Sequence, residues 1–89
     1  MFLETSAIVE MLTGGPLARE LSLKIDSAET RFHCAPTVEF EATAVLATEL
    51  GCAVEPANLL VKELLADLNA VRMAITPEIG DQAVAALAR

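Results

Sequence analysis

The feature that most constrains this chain is the spacing of its three short apolar runs. They lie at residues 1–4, at Phe32, Cys34 and Ala35, and at residues 71–75 ("VRMAI"). Each is too short for a helix and reads as a strand. The stretches between them carry helical periodicity, so successive strands are joined by helical crossovers. Strands joined in that way lie parallel in one sheet of an α/β domain.

Glycine and proline divide the helical stretches. In residues 5–12, Ala7, Ile8, Met11 and Leu12 recur at helical spacing, with Thr5 or Ser6 available as an N-cap. Gly14-Gly15-Pro16 stops that helix and starts the next, residues 16–28, where Leu17, Leu21 and Ile25 repeat at four-residue steps with Leu23 near the seam. Pro36 closes the second strand. A helix over 37–50 ends at Gly51, the residue suited to a left-handed cap. A helix over 55–69 starts near Pro56 and offers Leu59, Leu60, Leu64, Leu65 and Leu68 as its apolar face, for the core or for a dimer contact. After the third strand, Thr76 caps and Pro77 opens a last helix over 77–88, with Ile79, Val84 and Leu87 facing inward. The expected order is strand, helix, helix, strand, helix, helix, strand, helix. There is no internal repeat, and Gly14-Gly15 precedes Pro rather than Lys and Ser/Thr, so it is not a phosphate loop.

Parallel sheets place ligands outside the carboxyl ends of their strands. Glu4 sits at one such end. Glu39 and Glu41 follow another, early in the next helix. Two strand ends thus deliver acid to one edge of the sheet. Glu39 is two residues from Glu41, hence on another helix face, and is the weaker ligand candidate. His33, a lone imidazole, reads as structural or surface.

Composition limits the alternatives. The 89 residues make one domain, 54% hydrophobic, with no Trp or Tyr, so Phe2, Phe32 and Phe40 are the only rings available to a core of Leu, Ala, Val and Ile. A small chain this apolar is expected to bury part of its surface against a partner. The net charge of −7 argues against binding nucleic acid through the whole surface, but leaves room for a local acidic site that holds a divalent cation. Cys34 and Cys52 lack ligand spacing and read as buried thiols in a reducing cytoplasm. No signal peptide and no membrane-length apolar run is visible, so a soluble cytoplasmic protein is expected, with no membrane partner.

Three blocks resemble a known family. "MFLETSAIVEMLTGGPLAREL" looks like the start of PIN-domain proteins, specifically the VapC toxins of bacterial toxin–antitoxin pairs, which begin with two or three apolar residues, then Asp, Thr/Ser-Ser-Ala, an apolar helix and a Gly-Glu-Pro-like break. "CAPTVEFEATAVLATELG" is similar to the second family block, a strand, a corner and a helix with an early active-site Glu. "MAITPEIGDQAVAALAR" resembles the strand and helix that precede the later acidic motif. The resemblance implies a three-layer PIN-like domain, a short parallel sheet flanked by helices. It implies a ribonuclease in which carboxylates hold Mg²⁺ (or Mn²⁺) for hydrolysis of an RNA phosphodiester. Glu4 and Glu41 would be the catalytic metal ligands, with Thr5, Ser6 and Asp81 as auxiliary contacts. The implied partners are an antitoxin protein, an RNA substrate where activity is retained, and a second copy of the chain in a homodimer.

The chain departs from the family pattern twice. Glu4 stands where the family has Asp, one methylene shorter. The sequence ends at Arg89, before the family's basic Gly-rich turn and final Asp-bearing block. A C-terminally truncated domain with impaired cleavage is therefore expected. Two further readings remain open: an inactive PIN-like module that binds an antitoxin or toxin subunit, and an interaction domain without nuclease ancestry.

Overall fold

A computed structural model describes residues 1–28, 31–74, 77 and 81. Among them four helices and two very short strands form an α/β arrangement that is mostly helical: α1 (Thr5–Thr13), α2 (Ala18–Ser27), β1 (His33–Cys34), α3 (Pro36–Leu50), α4 (Val54–Asp67) and β2 (Val71–Arg72). From α1 to β2 this order follows the one expected from the apolar runs. Residue 75 and most of the expected last helix lie outside the described residues, as do Thr76, Ile79, Val84 and Leu87.

The sheet is parallel, with His33 opposite Val71 and Cys34 opposite Arg72. The N-terminal run does not form a full strand. It makes one parallel bridge, Phe2 to His33, sealed by Leu3 N–H to His33 O (2.9 Å) and His33 N–H to Met1 O (2.8 Å). β1 is therefore central, between residues 1–3 and β2. Alternation along the strands sends Leu3, Phe32 and Cys34 into the core, while Phe2 stays exposed and His33 half-buried.

Three of the four helices end the same way. Gly14 (φ 66), Gly51 (φ 63) and Asn69 (φ 52) adopt the left-handed conformation. The next N–H then reaches back five residues: Gly15 to Glu10 O (3.1 Å), Cys52 to Ala47 O (3.0 Å) and Ala70 to Leu65 O (2.9 Å). This closure satisfies the last helical carbonyls, and Gly or Asn supplies it at the least steric cost. Asn69 was not marked by the Gly and Pro pattern. It ends α4 and turns the chain into β2.

The core sits between α1, α3, α4 and the sheet, with α3 packed on both α1 and α4. Ile8, Cys34, Leu46, Val61 and Leu65 are its largest fully buried side chains. Ala42 and Ala57 are also fully buried. Buried Thr43 accepts a hydrogen bond from Asn58 Nδ2 (3.1 Å), joining the same two helices.

Several inward assignments need correction. Phe32 alone among the rings is in the core; Phe2 and Phe40 are 51% and 74% exposed. On α4, Leu59 and Leu60 are exposed, and the buried stripe is Ala57, Val61 and Leu65 with Leu64 and Leu68 packed against it. The period is helical in both readings, but the buried stripe is rotated toward Ala57 and Val61. On α2, Leu17 and Leu23 are exposed, and Ile25 makes the core contact.

Candidate functional site

The carboxyl end of the sheet carries two polar corners, both organised by the first half of α3. The first corner joins α3 to the start of α1. Glu4 is the last extended residue before α1 (φ −96, ψ 152), and its carbonyl accepts the first helical bond from Ile8 N–H (3.2 Å). No side chain caps α1. Thr5, expected as a cap, instead donates its hydroxyl across the fold to Glu41 Oε2 at 3.1 Å. Glu4, Thr5 and Ser6 line one shallow surface groove with Val9, Glu10 and Val45. Glu4, Ser6 and Glu41 are exposed and Thr5 is half-buried.

The second corner joins α3 to β2. The Glu39 carboxylate receives both arms of Arg72: Nη2 to Oε1 at 2.8 Å and Nε to Oε2 at 3.1 Å. Glu39 is only 9% exposed. Beneath the pair lies the fully buried Cys34, whose Sγ–H points to Ala35 O at 3.6 Å. Burial pushes the Cys34 thiol above its ordinary pKa, the Glu39 charge adds to the rise, and Arg72 partly offsets it.

Of the expected site residues, the fold joins Thr5 to Glu41 and sets Glu4 and Ser6 beside Thr5. Asp81 is helical and exposed. Among the described residues no group of three Asp, Glu, His or Cys side chains converges as a metal site. Glu39 is neither a solvated acid nor an open ligand, since Arg72 occupies both of its oxygens. A signal for that pair was available: Arg72 is a charge inside the short apolar run "VRMAI", and a charge there needs a partner.

Glu10 serves a third, separate purpose. Its Oε1 accepts from Leu17 N–H (2.9 Å) and bridges the turn between α1 and α2. A side chain at Gly15 would push the Glu10 carboxylate off this bond.

Fold and corners together define a small, mostly helical α/β domain with polar clusters at the carboxyl end of a parallel sheet. No family model, curated protein or solved structure matches this chain. No helix among the described residues is long and apolar enough to cross a membrane.

Proposed function

We propose that the chain is a PIN-like domain of the VapC type, acting on RNA through a divalent-cation site with Glu4 and Glu41 as ligands. The observation that carries this reading is the Thr5 Oγ1 to Glu41 Oε2 hydrogen bond. It draws the helix after the second strand against the residue that follows Glu4, at the sheet edge where such folds bind ligands.

The donor chemistry fits a hard cation. Mg²⁺ keeps several waters and is commonly held by one or two carboxylates together with substrate phosphate, so two glutamates suffice for a shared site. When bound, the ion would supply Lewis-acid character and an activated water. The chain's own part is positional. Thr5 holds one oxygen of Glu41, while Glu4 lines the groove at the base of α1. With only these two acids the site is weak, and slow cleavage is expected.

Two observations favour a second reading, an inactive module that binds an antitoxin or a toxin subunit. Arg72 takes Glu39 out of the ligand pool. Phe40 and Val45 expose apolar surface on the helix that carries Glu41. Association through α4 is part of both readings: Leu59 and Leu60, at 60% and 37% exposure, suit a homodimer contact. Light scattering at micromolar concentration checks that point, and a monomer would remove it.

Mn²⁺ titration followed by electron paramagnetic resonance separates the readings. Weak binding lost in Glu4→Ala and Glu41→Ala, with RNA cleavage that Glu41→Ala abolishes, supports the nuclease. Mn²⁺ binding without cleavage supports the inactive module. Absence of both binding and cleavage overturns the metal site.

A further inference from the structure

The last described strand is held differently from the rest of the domain. The buried core residues run from Leu3 to Leu65, and the residues packed against them add Leu68 and Ala70. The series stops there. Val71 and Met73 are only half-buried, and Arg72 and Ala74 are exposed. Among the described residues, β2 thus supplies no core side chain. It also pairs with β1 alone, whereas β1 has the N-terminal run on its other side.

The ties that close β2 are few. Val71 N–H donates to Phe32 O (2.9 Å) and Met73 N–H to Cys34 O (3.0 Å). Among the described residues, the side-chain hydrogen bonds of β2 are the two that Arg72 donates to Glu39. That pair joins the strand to α3. A segment with few buried apolar contacts opens at lower free energy than the core does.

What the strand covers is Cys34. Cys34 and Arg72 stand opposite each other in the parallel register, so their side chains leave on the same face of the sheet. From there Arg72 reaches α3, and the thiol lies fully buried beside the ion pair. The charges of Glu39 and Arg72 both act on the Cys34 thiol, which places it close to the two.

We propose that β2 is a latch, closed by the Arg72–Glu39 pair, that opens while the helices stay folded and uncovers the flank of Cys34. The latch does not depend on the metal site of the preceding reading. It makes Cys34 inert in the closed domain and reachable in the open one.

The test uses the whole chain across a urea series below the unfolding midpoint. Amide hydrogen exchange is followed by NMR, and labelling of Cys34 by N-ethylmaleimide is followed by peptide mass spectrometry. The Val71 and Met73 amides and the Cys34 thiol should respond at rates nearly independent of urea, because a local opening exposes little surface. The Leu46 and Val61 amides should show the full urea slope. Arg72→Gln should raise Cys34 labelling about 5–30-fold, the effect on an opening equilibrium of losing a partly buried ion pair. Leu46→Ala should speed exchange at Val61 without speeding labelling at Cys34, since the open latch keeps α3 packed. A full urea slope at Val71, Met73 and Cys34 in the parent would mean that β2 opens only with the whole domain, and would overturn the latch. So would Cys34 labelling that Arg72→Gln leaves unchanged. Should Arg72→Gln fail to fold by circular dichroism, the urea slopes of the parent decide alone.

Discussion

Glu39 and Glu41 stand two residues apart on α3. Two residues turn a helix by about 200°, so the two carboxylates leave on nearly opposite sides. One meets β2 and is gripped by both arms of Arg72. The other meets the start of α1 and receives a single hydroxyl, from Thr5. The first acid is almost buried; the second is exposed. The same residue type on the same helix thus becomes a structural clamp in one place and an open oxygen donor in the other. Availability for a ligand depends on what the neighbouring element brings, and only Thr5 leaves its partner acid with an oxygen to offer.

Both corners depend on the position of α3, so the largest effect should come from loosening it. Leu46 is fully buried on α3. Leu46→Ala should cost about 2–5 kcal/mol in urea unfolding, since it leaves a cavity between packed helices. A loss below about 1 kcal/mol would show that α3 is not the common support of the two corners.

Glu39→Ala comes next. It strands the Arg72 guanidinium beside the sheet, but the half-exposed Arg72 can turn to water. The expected cost is about 1–2 kcal/mol, between the values for buried and surface pairs. A change within experimental error would mean that the clamp contributes nothing to the fold.

The alkaline limb of stability reads the same corner. The folded pKa of Cys34 is raised above its ordinary 9.0. The unfolded chain therefore releases this proton at lower pH than the folded one does. The contribution is fully present below about pH 9 and is lost as pH rises through the higher folded value. Urea midpoints measured from pH 8 upward should fall more steeply in the parent than in Cys34→Ala. Parallel curves would break the assignment.

Glu41→Ala should have the smallest effect on stability, within about 0.5 kcal/mol, because the residue is exposed and loses one hydroxyl contact. Its effect on Mn²⁺ binding should be large. A Glu41→Ala protein that melts much lower than the parent would make the two corners alike and remove the contrast drawn between them.

Much of the fold was legible in the sequence because its signals are local. Gly14, Gly51 and the prolines at 16, 36 and 56 act through their own backbone preferences, and they divide the chain into helices with nearly the observed bounds. The rotated stripe of α4 was not legible. Leu59 and Ala57 differ by two positions, and periodicity favours the larger side chain, whereas the fold buries the smaller one. The Thr5 cap was misjudged for a related reason. A hydroxyl at a helix start can bond its own backbone or a distant carboxylate, and only the arrival of Glu41 decides.

The sequence by itself determined most of the helix bounds and the parallel sense of the sheet. Those follow from backbone stereochemistry, crossover handedness and apolar spacing, all readable over a few residues. Only the tertiary structure decided which acid is clamped and which stays open. That choice rests on Arg72 and Thr5, 33 and 36 residues away from their respective partners along the chain. A contact of that span is set by how α3 packs over the sheet, which no local pattern records.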